Sequence, residues 1–292
     1  MEELQLLEND HLRVAVRNKG AELSTIYHKH HHLEYLWQAD PAFWPKQSPV
    51  LFPIVGTLCK GQYNFNEKTY QLPRHGFARD QNFTLETKTG TYLAFLFSSN
   101  EAILIVYPFP FELRIIYDLQ DAILSVTYRI NNTGKNTLFF SIGAHPAFRI
   151  PLENDKVYED YFLRFEKNES CDRWPITDNG LISNHSESFL TDQHLLPLNK
   201  SLFRNDAIVF KDLKSDCISI ESHNSSHGIR MTFHDFPFFG IWSAKGADFI
   251  CLEPWCGIAD SEQPTQDITQ KEGINSLGGG DTFEITWSVH CY

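Results

Sequence analysis

Phe111-Glu112-Leu113-Arg114-Ile115-Ile116-Tyr117-Asp118-Leu119 is followed, three residues later, by Ile123-Leu124-Ser125-Val126-Thr127-Tyr128-Arg129-Ile130-Asn131. Apolar and polar side chains alternate along both stretches, the pattern of strands with one buried and one wet face. The short connection reads as a hairpin, and Asn131-Asn132-Thr133-Gly134 marks the next turn. The same character continues outward. Upstream lie Leu12 to Val16, Thr91 to Ser98 and Ala102 to Tyr107. Downstream lie Thr137 to Ile142, Ala207 to Phe210, Cys217 to Glu221, Ile229 to Phe233, Phe238 to Trp242, Phe249 to Leu252 and Thr282 to His290. Short strands at hairpin spacing predict an all-β fold, a large antiparallel β-sandwich. Helical windows are few, with Ser261 to Lys271 and Ser186 to Leu190 the best candidates. No linker composition or fixed-period repeat interrupts the chain, so residues 1–292 read as a single domain.

Composition supports this and narrows the partners. The chain carries 23 Phe and 11 Tyr against 2 Met, and flat rigid side chains pack well on pleated surfaces. A formal charge of −12 without a basic cluster argues against nucleic acid or an anionic membrane as partner. The acidic start, Met1-Glu2-Glu3-Leu4, does not read as a secretory signal, and no apolar window approaches the length of a membrane span. Six cysteines scattered over the chain read as thiols of a reducing compartment, which points to a cytoplasmic protein. His28, His30, His31 and His32 place four imidazoles in five residues. They read as a solvated hairpin loop; a transition-metal site would need them to converge.

Three blocks combine glycine or proline with an ionisable group beside an apolar strand. Leu72 to Asp80 sets Arg74 and Arg79 around His75 and Gly76, so backbone can approach closely while donors point one way. Ser141 to Phe148 ends an apolar strand on His145, with Pro146 fixing the exit. Phe249 to Gly257 places Glu253 at the close of a buried strand, beside Trp255. A carboxylate after Phe-Ile-Cys-Leu is desolvated, which raises its basicity, and Pro254 removes a donor that would stabilise the anion. Such a group suits general base catalysis near neutral pH.

With Pro49-Val50-Leu51-Phe52-Pro53-Ile54-Val55-Gly56, these blocks (Arg74 to Arg79, Gly143 to Phe148, Cys251 to Trp255) resemble the aldose 1-epimerases, or galactose mutarotases. The likeness is to the bacterial aldose epimerase-like branch of lactose gene clusters, and it runs from near residue 3 to near residue 290. The resemblance implies a galactose mutarotase-like sandwich with a hexose in a cleft on a concave sheet, and no cofactor or metal. Carried over by motif, Glu253 and His145 are the catalytic base and acid. His75, Arg79 and Arg74 bind substrate, and Trp255 offers an apolar face to the sugar. Trp242 and Phe77 are further aromatic candidates, Phe77 reading as core. The chain departs from many relatives at Thr57, where they carry an arginine that contacts substrate hydroxyls. Lys60 replaces its charge but not its planar fork.

Two alternatives stay open at this level. Arg74, Arg79 and Lys60 would suit a hexose-6-phosphate mutarotase. A sandwich that binds carbohydrate without turnover is the other.

Overall fold

The computed structural model describes residues 4–292. Its strands, numbered in chain order, form three main sheets. The largest has nine strands. Their order is β15 (Glu187–Pro197), β14 (Tyr161–Arg173), β17 (Cys217–Ser222), β18 (Ile229–Thr232), β22 (Thr282–Cys291), β10 (Ile123–Asn132), β9 (Phe111–Gln120), β8 (Tyr92–Ser98) and β7 (Thr84–Lys88). A second sheet joins β1 (Leu4–Glu8), β2 (Leu12–Arg17), β3 (Leu23–His28) and β4 (Leu33–Glu34). The third runs β12 (Ile142–Gly143), β20 (Phe249–Cys256), β19 (Phe238–Trp242) and β16 (Ile208–Phe210), with β13 (Ala147–Arg149) also against β20. Two small ribbons complete the set, β5 (Gln62–Phe65) with β6 (Lys68–Gln71) and β11 (Leu138–Phe140) with β21 (Asn275–Leu277). Pairing is antiparallel in each sheet.

The alternation on β10 has the predicted result. Leu124, Val126, Tyr128 and Ile130 are buried, while Ser125, Thr127 and Arg129 lie on the wetter face. There Thr127 stands opposite Thr286 and Arg129 opposite Glu284, and each pair is hydrogen-bonded across the strands. Leu124 and Val126, Leu23 and Ile26, and Ile250 and Leu252 come from the three sheets and share one continuous core. The architecture is a β-sandwich. β20 is buried at all eight positions. No described helix is long and apolar enough to cross a membrane.

Three local expectations are corrected. Ala102 to Tyr107, predicted as a strand, is the helix α1 (Glu101–Val106). Asn100 caps it, its side chain accepting the Ile103 N–H at 3.0 Å, and Pro108 follows its end. Ser186 to Leu190 is not helical but opens β15, because pairing with β14 outweighs local propensity. Ser261 to Lys271 is mostly loop, with one 3₁₀ turn at Ile268–Gln270, and Pro264 interrupts any longer helix. β14 and β15 were not legible as strands. β14 runs through Glu166-Lys167-Asn168-Glu169-Ser170, and its pairing with β15 shifts register three times.

Candidate active site

β12 and β13 both pair with β20, and the chain between them bulges away from it. Gly143 stands opposite Trp255 and Ala147 opposite Cys251. Two backbone bonds pin the bulge, Ala144 N–H to the Pro254 carbonyl at 3.0 Å and Leu252 N–H to the Pro146 carbonyl at 3.3 Å. His145, at its apex, therefore hangs over Glu253, with Nε2 3.4 Å from Oε2. Both side chains are buried.

Burial disfavours charge on each. It pushes Glu253 well above the usual carboxylate range, against a smaller lowering by Arg74. It drives His145 down to about 3, with Arg74 and Arg79 adding to the fall. Burial thus favours the uncharged form of each, a carboxyl beside a neutral imidazole. The Nδ1 atom of His145 and the Nε1 atom of Trp255 are buried without a hydrogen-bond partner.

The opposite wall comes from residues 74–79. Gly76 has φ +71°, and a Cβ there would lie 2.2 Å from the Phe52 carbonyl oxygen, so the turn requires glycine. His75 is locked to Gly56 twice: its N–H donates to the Gly56 carbonyl at 2.8 Å, and its Nδ1 accepts the Gly56 N–H at 3.1 Å. Its Nε2 faces the Nε–H of Arg74 at 3.3 Å, so both ring nitrogens meet donors, surroundings that disfavour a second ring proton. Burial, His145, Arg74 and Arg79 hold this imidazole well below its ordinary pKa. Arg79 Nη2 donates to the Arg74 carbonyl at 2.9 Å, and Arg74 Nη2 lies 3.7 Å from Asp206. Behind Gly56, a buried Lys271–Asp260 ion pair at 2.7 Å holds the next segment. Asp260 Oδ2 accepts the Cys59 N–H at 2.8 Å, and the Asp260 N–H donates to the Thr57 carbonyl at 2.9 Å.

These groups enclose a cleft of about 440 Å³. Glu253, His145, His75, Arg79, Arg74 and Trp255, the six residues singled out in the sequence, all line it. Trp242 lines it too, standing edge-on to His145 at 5.6 Å, whereas Phe77 packs among Phe52, Phe97, Tyr107 and Phe111 as core. Lys60 and Thr57 are not among the lining residues. Two contributors escaped the sequence reading. Trp44 stacks on His145 with ring centroids 4.9 Å apart, and Asp206 brings a carboxylate to face Arg74. Asp206 adopts φ +73° in the turn before β16, and nothing local marked it as a cleft residue. Gly180, Ile176 and Ile182, from the 174–186 connection between β14 and β15, close one side.

The histidine run forms the predicted hairpin loop between β3 and β4, yet His28 is buried rather than solvated. Its ring stacks flat on His31 at 3.6 Å, with His11 and His30 beside it and His227 against His31. The cluster does not converge as a ligand set. Among the described residues, the group of His, Cys, Asp or Glu whose ligand atoms lie within 4.8 Å of one another is His145, Cys251 and Glu253.

Comparison with known proteins gives the family and the fold. The aldose 1-epimerase family model matches residues 3–274. The plasmid-encoded protein LacX of Lactococcus lactis subsp. lactis is 36% identical, with 97% of each chain covered. A galactose mutarotase related enzyme from Lactobacillus acidophilus superposes with a TM-score of 0.95 at 32% identity, over 99% of this chain and 97% of that one. A galactose mutarotase-like protein from Lactobacillus casei gives 0.93 at 30% identity, over 99% and 100% of the two chains.

Proposed function

The chain belongs to the aldose 1-epimerase family, and from that premise we propose that it interconverts the α- and β-anomers of an unphosphorylated hexose such as galactose or glucose. The observation that carries the reading is the buried Glu253–His145 pair on the floor of a cleft rimmed by tryptophans and arginines. Opening a pyranose needs one proton removed and one delivered, and a carboxylate with an imidazole suffices for both.

In the forward direction Glu253 takes the proton of the C1 hydroxyl while His145 gives one to the ring oxygen, and the C1–O5 bond breaks. The open aldehyde rotates about C1–C2. On closure His145 takes the proton of the C5 hydroxyl as O5 attacks the other face of C1, and Glu253 returns a proton to the carbonyl oxygen. The reactive form has the shared proton on the imidazole. Moving it there from the carboxyl leaves the charge of the pair at zero, and Arg74 favours the resulting carboxylate. Burial makes the ionised Glu253 a strong base and the protonated His145 a strong acid, the separation the reaction needs. His75 hydrogen-bonds the sugar near the ring oxygen. Arg74, Arg79 and Asp206 take hydroxyls, and Trp255, Trp242 and Trp44 offer apolar faces to the C–H side.

Replacing Glu253 by Gln and His145 by Asn tests this. Polarimetry of fresh α-D-galactose should show each variant about 10²–10⁴-fold slower, with sugar binding retained by tryptophan fluorescence. Wild-type rates in both would sink the mechanism. Retained binding with no turnover in the unaltered protein would favour a pure carbohydrate binder. A hexose 6-phosphate is the less favoured substrate, since Arg74 already faces Asp206 and Lys60 is not in the cleft wall. Faster anomerisation of glucose 6-phosphate than of glucose would reverse that choice.

A further inference from the structure

Cys251 takes no part in the reaction just described, yet it lies directly beneath it. It precedes Glu253 by two residues on β20, so both side chains leave the strand on the same face. His145 descends on that face from the bulge between β12 and β13. One ligand atom from each of His145, Cys251 and Glu253 falls within a mutual 4.8 Å, and all three residues are buried. We propose that this triad is an inhibitory site for a thiophilic divalent cation, zinc above all, which binds across the acid–base pair and stops turnover.

The donor set is imidazole nitrogen, thiolate sulfur and carboxylate oxygen, each a common zinc ligand. Tetrahedral zinc, with bonds of about 2.0–2.3 Å, holds its donors roughly 3.3–3.8 Å apart. Nε2 of His145 and Oε2 of Glu253 already stand 3.4 Å apart. The thiol needs to close by no more than about 1.5 Å, within reach of side-chain rotations. His145 and Glu253 both line the cleft, which can supply water or a sugar hydroxyl as a fourth ligand.

Charge also balances. On binding, the Cys251 thiol and the Glu253 carboxyl each release a proton to solvent, and the two anions neutralise the dication. Arg74 and Arg79 on the facing wall therefore meet no added positive charge, while Asp206 and neutral His75 complete the surroundings. Affinity rises with pH because protons leave as the ion enters. Trp37, Ala147, Ala247 and Phe249 pack around Cys251 and keep the sulfur dry.

Inhibition rests on the proposed isomerase activity; ion binding does not. Cobalt(II) titrated into the full-length protein should produce a thiolate-to-cobalt charge-transfer band in the near ultraviolet, displaced by zinc. The band should vanish in Cys251→Ala, with Cys251→Ser as the near-isosteric check on packing, and persist in His31→Ala. Zinc should inhibit α-D-galactose mutarotation by the wild type. Cys251→Ala should turn over sugar normally and need at least about tenfold more zinc for half-inhibition. No band in the wild type, or a band that survives both Cys251 variants, would overturn the site. A band without zinc inhibition of an active enzyme would overturn the inhibitory role. A Cys251-dependent band in a protein that turns over no sugar would leave the site standing and refute the isomerase reading instead.

Discussion

Gly240 shows how one residue type shapes the cleft. It stands opposite Glu253 in the β19–β20 register, and a Cβ there would meet the Trp255 indole at 2.5 Å. The missing side chain is the space the indole occupies. Gly240→Ala should push Trp255 into the cleft and raise KM about tenfold, the scale of a 1–2 kcal/mol misfit, with kcat changed less. Polarimetry over a range of sugar concentrations separates the two, and an unchanged KM would mean that Trp255 does not touch the sugar. At this scale much of the site was legible. Glu253 and His145 each follow an apolar run and precede a proline, and His75 sits beside a glycine between two arginines. Trp44, within Phe43-Trp44-Pro45, and Asp206, in an ordinary turn, carried no such mark, because only tertiary folding brings them to the cleft.

Elements matter here through the way one holds another. Asp260, held by Lys271, ties the chain beyond β20 to the segment after Gly56, and Gly56 in turn clasps the ring of His75. Burial depresses the Lys271 pKa, against the pull of Asp260. Asp260→Ala leaves that cation buried without its partner and should cost about 3–5 kcal/mol in urea unfolding. Replacing both residues with apolar ones, Asp260→Leu with Lys271→Met, should recover most of the loss. A single variant as stable as the wild type would show the clamp to be dispensable. The same dependence on neighbours explains which elements the sequence revealed. β9, β10 and β22 alternate cleanly because one face meets the core. β15 alternates poorly because much of it is exposed, and α1 hid inside a β-branched run whose decisive residue was the cap, Asn100.

The whole molecule sums opposite proton linkages. His75 and His145 stay neutral in the fold, and His28, also buried, falls to about 4. The unfolded chain takes up protons below pH 6.5 that these rings refuse, so stability is lost as pH falls from 6.5 toward 4 and below. Glu253 acts in the other sense. Its unfolded carboxyl ionises near 4.5 while the folded one keeps its proton to higher pH, so its contribution erodes as pH rises above 4.5. Glu253→Gln removes that erosion. The variant should melt at a higher temperature than the wild type at pH 7–8, with the gap closing toward pH 4.5. A lower melting temperature at pH 7 would contradict the burial argument. The nine-stranded sheet has one more consequence, for encounters between chains. An open sheet ends in two rows of unpaired backbone donors and acceptors, a template on which a second polypeptide can polymerise. Here β7 shifts register between Leu85 and Thr87 and carries Glu86 and Lys88, while β15 is broken by repeated shifts against β14 and bears Glu187, Asp192 and Pro197. The irregularity that hid β14 and β15 from the sequence is the guard that keeps this sheet from growing.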